Sequence, residues 1–284
     1  MSSIKKRLFK TFMRFLPKKI HEKIFRLSTI FYCYYENFNY NFEENGEFWL
    51  LNSITKCSDQ IFLDVGANTG EYSLKIRQLF PKSRIYSFEP SPKTYEKLVE
   101  NTKSFKNIFP KKIGLSKEPK TAVLYEYLPY SGRNTLNGFS TGLQYSDRYS
   151  IEVSTGDIFL KEISFKGNIS LLKIDVEGHE LDVLKGFLET LGNKKIEIIQ
   201  FERATAANTD RIYDFYNFLI PLGYKLGKLF PNFIEIYENY NCTLDEYIGS
   251  NWIAINSTSD FIKKFSNHIK TFDYGARKLI DFRE

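Results

Sequence analysis

The stretch IFLDVGANTGEYSL, residues 61–74, places an acid and two glycines between an apolar run and a helical pattern. Glycines let a backbone approach a ligand closely, and ligands of open α/β sheets bind beyond the carboxyl ends of the strands. The turn therefore predicts a nucleoside-type binding site. Its candidate cofactor-binding residues are Asp64, Gly66, Asn68, Gly70, Glu71 and Tyr72.

Two phosphate-binding glycine motifs do not match this turn. A P-loop requires Lys followed by Ser or Thr after its last glycine, and neither pair follows Gly70. A dinucleotide fingerprint requires G-x-G-x-x-G, whereas position 68 is Asn and the spacing is G-x-x-x-G. An NAD-dependent dehydrogenase is therefore disfavoured.

A second acid, Glu89, ends the next predicted strand in IYSFEPSP, nineteen residues after Gly70. A carboxylate there can accept hydrogen bonds from both hydroxyls of a ribose. A nucleoside without a pyrophosphate is the inference, and S-adenosylmethionine fits that description. Pro90, Ser91, Ser116 and Asp175 are further candidates for cofactor contact. The alternative is a glycine turn and a helix-capping glutamate that bind no ligand. It is disfavoured because both features follow the ends of consecutive predicted strands and so lie at one edge of the sheet.

A third group of ionisable residues follows two later strands. In LLKIDVEGHELDVLKG, Asp175 ends a strand, and Glu177 and His179 lie in the turn that opens a helix. Glu202 ends the neighbouring strand in IIQFE. We expect these four candidate catalytic groups to surround one crevice beside the nucleoside site, because the carboxyl ends of parallel strands share one sheet edge.

Methyl transfer to an alcohol requires a base that removes the hydroxyl proton as the bond forms. His179 is the predicted base, since an imidazole beside a carboxylate can take a proton near neutral pH. Two structural alternatives stay open: Glu177 as a helix cap and His179 as a turn-holding hydrogen-bond donor. Asp175 and Glu202 also suit a divalent cation, although a pair of carboxylates is a weak signal and a metal is not favoured.

Alternating β-rich runs and helical patterns predict the elements that position these groups. Such alternation is typical of βαβ units, so we expect an α/β fold with a mostly parallel sheet and helices on both faces. The predicted strands are 61–65, 84–89, 108–113, 170–175 and 196–202. The predicted helices are about 71–80, 91–104, 180–190 and 208–221. YKLGKLF and NWIAIN predict a closing antiparallel hairpin.

The period changes over 117–160, where alternating runs and a turn-rich segment predict an antiparallel insertion. Tyrosines offer faces for sugar rings, and arginines can hold a phosphate or carboxylate of an acceptor. The hypothesis is that the insertion is a lid that binds a charged or nucleotide-linked saccharide, with Tyr130, Arg133 and Arg148 as candidate substrate-binding residues. An edge hairpin that only packs is the open alternative.

The charge of the chain is concentrated in its first 27 residues. They hold nine basic residues and Glu22, a net +8, so the remainder carries −2 of the total of +6. This helical arm, assigned to 1–45, predicts either binding to an anionic membrane surface or packing on protein. A methyltransferase-type domain is expected over 46–258 and a helical tail over 259–284. Three widely spaced cysteines and the lack of a secretory signal pattern predict a cytoplasmic protein.

Four motifs in order, FLDVGANTGEYS, SFEPSP, KIDVEGHELDVLKG and IIQFE, resemble the FkbM family of S-adenosylmethionine-dependent methyltransferases. The resemblance spans about 61–202. It implies a class I methyltransferase (Rossmann-like) sheet and transfer of a methyl group to a hydroxyl, often on glycan sugars or secondary metabolites.

The motifs carry over residue by residue. Asp64, Gly66, Asn68, Gly70 and Glu89 match the cofactor motifs, and Asp175, Glu177 and His179 match the acidic turn with its histidine. The family commonly has Leu-Asp-Asp where this chain has Thr155-Gly156-Asp157, so a role for Asp157 is in doubt.

The sequence thus predicts an O-methyltransferase that acts on a saccharide of a surface glycan or of a nucleotide- or lipid-linked sugar. A secondary-metabolite acceptor, or a non-catalytic membrane-associated nucleotide-binding protein, are the alternatives. Methylation of nucleic acid is disfavoured, because DVEG stands where base methyltransferases carry an Asn/Asp-Pro-Pro-aromatic motif and the body has no basic track.

Overall fold

The computed structural model describes residues 7, 11–127, 134–136, 145–203, 210–245 and 251–272. Among these residues, nine strands form one sheet in the order β12-β10-β9-β11-β8-β7-β1-β2-β3, and three form a small sheet in the order β4-β6-β5. The first six strands are β1 Ile61–Val65, β2 Arg84–Phe88, β3 Ile108–Lys111, β4 Gly114–Leu115, β5 Lys120–Glu126 and β6 Asp147–Ser154. The others are β7 Ile169–Ile174, β8 Ile196–Glu202, β9 Tyr224–Phe230, β10 Phe233–Tyr237, β11 Asn251–Asn256 and β12 Ile269–Phe272.

Helices cover both faces of the large sheet. They are α1 Lys18–Tyr35, α2 Glu47–Ser53, α3 Glu71–Leu79, α4 Pro92–Thr102, α5 Gly156–Glu162, α6 Glu180–Lys185, α7 Leu188–Gly192, α8 Ile212–Leu219 and α9 Asp260–Lys264. In β1, Leu63 and Val65 pack into the core that contains α5 to α8, whereas Phe62 packs into the core that contains α2 and α3. Every residue of β1 is buried, as expected for a parallel strand covered on both faces.

The predicted α/β class and mostly parallel sheet are confirmed. β3, β2, β1, β7 and β8 run parallel, and β11 lies antiparallel between β8 and β9. The strands 61–65 and 196–202 have the predicted bounds, and the other three differ by one or two residues at an end. The predicted antiparallel pairs of β5 with β6 and of β9 with β11 are both present.

Two expectations for helices are wrong. The helix predicted over 180–190 is divided into α6 and α7, because the chain turns at Gly186, where a Cβ would lie 2.2 Å from the carbonyl oxygen of Ser116. The tail helix predicted from residue 260 is confined to α9. Ile269–Phe272 instead pairs in parallel with β10 and so extends the sheet; residues 273–284 lie outside the described part.

The N-terminal arm contains the 18-residue helix α1, which begins directly after Pro17. Its carboxyl end is clamped to the sheet by an ion pair between Glu36 and Lys228, whose side chains are both fully buried. Asn37 donates hydrogen bonds to the carbonyl oxygens of Leu229, at 2.9 Å, and Asn45, at 2.7 Å. Among the described helices, none combines the length and apolar character needed to cross a membrane.

Replacing Lys228 with Met is expected to lower the free energy of unfolding by about 3–5 kcal/mol, because it leaves the Glu36 carboxylate buried without its cation. Lys225→Met is the matched control, since Lys225 lies on the same strand but is exposed, and should cost less than about 0.5 kcal/mol. Chemical denaturation followed by circular dichroism measures both. Equal effects of the two substitutions would contradict a stabilising clamp.

Candidate active site

The candidate site lies where the strand order reverses direction. β1 continues through β2 to β3 on one side, whereas β7 and β8 lie on the other side of β1. Open α/β sheets bind ligands at such a switch point, beyond the carboxyl ends of the strands. Two adjoining cavities open there, and Gly66, Asn68 and Asp175 line both.

Gly66 is the residue that allows the two halves of the sheet edge to meet. Its φ is +82°, and a Cβ at this position would lie 1.8 Å from the carbonyl oxygen of Asp175. The amides of Gly66 and Ala67 both donate to the carbonyl oxygen of Phe88, at 3.0 and 2.9 Å. A side chain at Gly66 would therefore separate β1 from the turn after β7.

The first cavity, named here the Glu89 cavity, is lined by apolar groups from β1, β2 and the segment after β3, together with Glu89, Pro90, Glu177 and His179. The Glu89 carboxylate accepts hydrogen bonds from the amides of Asn68, at 3.0 Å, and Ser91, at 2.8 Å. Burial raises the pKa of Glu89 to about 7. The remaining lone pairs of its oxygens are available to ligand hydroxyls.

Asp64 and Asn68 supply further polar groups at the base of the site. Asp64 is buried and accepts a hydrogen bond from the Ser73 hydroxyl at 2.6 Å; its burial raises its pKa to about 6. Asn68 adopts a left-handed conformation with φ of +47°. Its buried Oδ1 has no hydrogen-bond partner among the described residues, so it is an acceptor suited to an ammonium or hydroxyl group of a ligand.

Ser91 and Ser116, both predicted cofactor contacts, lie behind the Glu89 cavity rather than on its lining. The Ser91 hydroxyl donates to the fully buried Glu126 of β5 at 3.1 Å, which joins the small sheet to the Glu89 turn. The Ser116 hydroxyl lies 3.0 Å from Nε2 of His179. The Ser91 amide, bonded to Glu89, and the Ser116 hydroxyl, close to His179, thus hold two residues that line the cavity.

The second cavity, named here the Lys173 cavity, has a volume of about 350 Å³. It contains the predicted Glu71, Tyr72 and Glu202, together with charged and polar groups that the sequence motifs did not indicate. These additional groups are Glu47, Lys75, Lys173 and Asn251, with Phe38, Asn39, Tyr40, Phe42 and Asn45 from the segment before α2. The N-terminal arm therefore reaches the candidate site.

Lys173 lies among the carboxylates of this cavity. Its Nζ is 3.1 Å from Oδ2 of Asp175 and lies over the Tyr72 ring, 5.2 Å from the ring centroid. Burial alone would lower the pKa of Lys173, but the surrounding carboxylates, Asp175 and Glu47 first, raise it above its ordinary value. Lys173 is therefore a permanent cation at neutral pH.

Glu202 and Asp64 both line this cavity with a raised pKa, and the pKa of Glu202 is the higher of the two. Burial, followed by the charge of Asp175, raises the pKa of Glu202 to about 7. A group that titrates near the working pH can accept a proton and release it again. Glu202 therefore combines a place in the larger cavity with the acidity of a general base.

The predicted single crevice is two cavities in the structure. Asp175 lines both, Glu177 and His179 line the Glu89 cavity, and Glu202 lines the Lys173 cavity. Between Asp175 and His179, Glu177 and Gly178 both have positive φ, +52° and +99°, so the chain turns sharply after β7. Burial lowers the pKa of His179, partly offset by the charge of Asp182.

Glu180 holds this turn and was not predicted as a site residue. It is buried, and its carboxylate accepts hydrogen bonds from the amides of Val176 at 3.2 Å and Gly178 at 3.0 Å. The carboxylate that holds the turn before α6 is thus that of Glu180, whereas Glu177 was the residue considered as a helix cap. In the sequence, Glu180 carries no signal for this role beyond its place two residues after Gly178.

Among the candidate substrate residues, Tyr130 and Arg133 lie outside the described part of the chain. Arg148 lies on β6 with its guanidinium 5.2 Å from the centroid of the Tyr125 ring, and it lines neither cavity. Asp157 accepts hydrogen bonds from the amides of Glu189 and Thr190, at 2.8 and 3.0 Å, so it caps α7.

Within the described residues, no group of three or more His, Cys, Asp and Glu side chains is arranged to hold a metal ion. The carboxylates of the Lys173 cavity instead surround the ammonium group of Lys173. We therefore derive no step through a metal.

Comparison with known proteins identifies the family. The model of the methyltransferase FkbM domain matches residues 64–226, more than half of the chain. The hexuronic acid methyltransferase AglP of Haloferax volcanii is 29% identical over 146 residues, covering 50% of this chain and 56% of AglP. The 2-O-methyltransferase NoeI of Sinorhizobium fredii is 24% identical over 155 residues, covering 49% of this chain and 62% of NoeI.

A crystal structure of methyltransferase FkbM from Methylobacillus flagellatus matches with a TM-score of 0.46 and 15% identity, covering 71% of this chain and 45% of that chain. The matches cover 56% of AglP and 62% of NoeI, so this chain spans little more than half the length of these curated relatives. On the match of the domain model over 64–226, the chain belongs to the FkbM methyltransferase family.

Proposed function

We propose that this chain is an S-adenosylmethionine-dependent O-methyltransferase whose acceptor is a hydroxyl of a saccharide, on a surface glycan or on a nucleotide- or lipid-linked sugar. The observation that carries the proposal is the pair of cavities that share Gly66, Asn68 and Asp175. One cavity offers a ribose-binding acid, and the other offers a base of suitable pKa. The methyl donor and the acceptor thus have separate, adjoining places.

On the cofactor side, Glu89 would accept hydrogen bonds from the ribose hydroxyls. Pro90 and the apolar wall of the Glu89 cavity would contact the adenine, with Glu177 and His179 at the opposite side. Asp64, which lines the Lys173 cavity, and the unpaired Oδ1 of Asn68, a residue that lines both cavities, suit the ammonium group of the amino-acid end, so this end would lie where the two cavities meet. When bound, S-adenosylmethionine supplies an electrophilic methyl group.

On the acceptor side, we assign the general base to Glu202, because it lies in the larger cavity beside Asp175. The ammonium group of Lys173 would orient the reacting hydroxyl and stabilise negative charge that develops on its oxygen. Asp175 would hold Lys173 through their 3.1 Å ion pair. His179 and Glu177 face the nucleoside side, so their proposed role is to shape the cofactor site.

The name of one relative supports a saccharide acceptor, and the name of a second supports transfer to oxygen. AglP is a hexuronic acid methyltransferase and NoeI is a 2-O-methyltransferase. The role of the segment 117–160 as a lid remains a proposal, with Tyr130, Arg133 and Arg148 as its acceptor-binding residues. The proposed location is the cytoplasm, at the inner membrane face, and nucleic acid is not a proposed partner.

The proposal is tested by incubating the chain with methyl-labelled S-adenosylmethionine and saccharides that carry free hydroxyls, including lipid-linked ones. Formation of S-adenosylhomocysteine together with a methyl ether in the saccharide supports the proposal. Cofactor binding with transfer only to nitrogen, or only to non-saccharide acceptors, would contradict it.

The affinity for S-adenosylmethionine is expected to fall about tenfold between pH 8 and pH 6. The pKa of Glu89 is about 7 in the free chain, and ribose hydroxyls stabilise its ionised form, so the pKa is lower in the complex. Binding is therefore strongest above pH 7 and weakens as the free carboxylate gains a proton. Calorimetry at both pH values measures the effect, and Glu89→Gln is the control. A pH dependence that persists unchanged in that variant would assign it to another group.

A further inference from the structure

The exposed surface of α1 carries an apolar stripe. Its residues recur every three or four positions, so they lie on one face of the helix. They are Ile20, Ile24, Leu27, Phe31 and Tyr34, with exposed fractions of 41, 38, 67, 69 and 83%. Contiguous apolar surface of this kind marks an interaction site, because a soluble chain gains free energy when the surface leaves water.

The body of the protein does not cover this stripe. No residue of α1 is buried, and the burial of the arm begins only at Glu36, after the helix has ended. The sequence left open whether the stripe packs on the chain's own body. Within the described residues it does not, so the stripe is open to a partner.

The charge of α1 distinguishes an anionic surface from a second copy of the chain. The helix carries Lys18, Lys19, Lys23 and Arg26 against Glu22 alone, a net charge of +3. Two such helices packed together would bring like charges to one interface. An anionic lipid surface would instead attract the basic side chains while the stripe enters the boundary between headgroups and acyl chains.

The end of α1 is fixed close to the Lys173 cavity. The clamp of Glu36 on Lys228 and of Asn37 on Leu229 holds the last turn of the helix against β9. The next residues, Phe38 to Phe42, contribute to the lining of the Lys173 cavity. Whatever binds α1 is therefore brought next to the place proposed for the acceptor.

We infer that α1 lies in the plane of an anionic membrane surface, with its stripe among the lipids and its basic residues at the headgroups. The Lys173 cavity then opens beside the lipid surface, so the acceptor class is a saccharide attached to lipid. The choice of acceptor rests on the proposed function, whereas the membrane contact of α1 does not.

The test is co-sedimentation of the full chain with phosphatidylcholine vesicles containing about one third phosphatidylglycerol, at low ionic strength. We expect the chain to sediment with these vesicles, and binding to be largely lost at about 0.5 M salt or with phosphatidylcholine alone. Leu27→Glu with Phe31→Glu should abolish binding. Lys19→Gln with Lys23→Gln should weaken it about 30-fold, since each basic residue near such a surface contributes a roughly fivefold factor.

Two matched controls separate α1 from general surface properties. Val123→Glu with Leu188→Glu replaces exposed apolar residues of the body, and Lys82→Gln with Lys103→Gln removes the same charge from the body. Both control variants should bind vesicles like the parent chain. Calorimetry with S-adenosylmethionine, unchanged in every variant, shows that the fold and the cofactor site are intact.

Failure of the chain to sediment with anionic vesicles at low ionic strength would overturn the inference. So would undiminished binding by the stripe variant. A dimer seen by sedimentation velocity that dissociates in the stripe variant, without vesicle binding, would assign the stripe to a second copy. If the parent chain does not bind S-adenosylmethionine, the proposed function is refuted, whereas the vesicle result is unaffected.

Discussion

Replacing Glu89 with Ala is expected to weaken binding of S-adenosylmethionine about 100-fold, a loss of about 3 kcal/mol. Two contributions add. The variant loses the acceptor for the ribose hydroxyls, and hydrogen bonds to a charged group each contribute about 1.5–3 kcal/mol. It also loses the carboxylate that holds the amides of Asn68 and Ser91, so the turn around the cofactor becomes less ordered.

Glu96→Ala is the matched control, because Glu96 lies on the adjacent α4 and is exposed. This control should bind within about twofold of the parent chain. Calorimetry measures both affinities, and thermal unfolding shows whether the variants stay folded. Parent-like affinity in Glu89→Ala would remove the Glu89 cavity from consideration as the nucleoside site.

Replacing Glu202 with Gln is expected to lower kcat for methyl transfer by about 10²- to 10⁴-fold, the range typical for loss of a general base. Gln keeps the size and hydrogen-bonding capacity of the side chain but cannot accept the hydroxyl proton. Affinity for S-adenosylmethionine should change less than about threefold, since Glu202 lines only the Lys173 cavity. The expected signature is therefore loss of turnover with retained cofactor binding.

The pH dependence of kcat gives a second readout for Glu202. The pKa of its carboxyl group is raised to about 7, so the parent rate should rise with pH through 7 as the base loses its proton. Glu202→Gln should lack this rise. Glu197→Gln, at the other end of the same strand, is the control and should keep both the rate and the profile.

His179→Gln distinguishes the two candidate bases. The structure places His179 in the Glu89 cavity with its Nε2 3.0 Å from the Ser116 hydroxyl. We therefore expect this variant to alter cofactor affinity more than kcat. A loss of kcat in His179→Gln as large as that expected for Glu202→Gln, with Glu202→Gln active, would return the base to His179.

The sheet and the glycine turn after β1 were predictable because each depends on local chemistry. An acid followed by glycines at the end of a strand, as at Asp64 and Gly66, is typical of a ligand-binding turn. In a βαβ unit the next parallel strand ends at the same edge of the sheet, which places Glu89 beside that turn. The hydrophobic runs of strands that are buried on both faces also predicted the first and last residues of these strands to within two positions. These signals lie within short segments, so no long-range contact is needed to read them.

The division into two cavities was not predictable, because it depends on backbone conformation. Glu177 and Gly178 adopt positive φ between Asp175 and His179, whereas the sequence DVEGHE only indicates that a turn is present. Lys173 carries a weak signal, a lone lysine in the apolar run LLKI. Lys173 pairs in register with Asp64 of β1 and Gln200 of β8, so its side chain lies on the same face of the sheet as theirs.

The sequence also did not predict that the N-terminal segment lines the candidate site. Glu47 reaches the site through a hydrogen bond from Gln200, which follows it by about 150 residues. Asn45 donates to Glu47 at 2.9 Å and also accepts from its amide. Contacts between residues far apart in the chain leave no local sequence pattern. The proposed acceptor side of the site could therefore be identified only from the fold.

The most direct test of the central claim is a calorimetric titration of S-adenosylmethionine into the intact chain at pH 8, with S-adenosylhomocysteine and NADH titrated in parallel. Two adjoining cavities with Glu89, Asp64 and Asn68 in place predict micromolar binding of both sulfur nucleosides and no binding of NADH. Absence of binding by S-adenosylmethionine would contradict methyl transfer at this site.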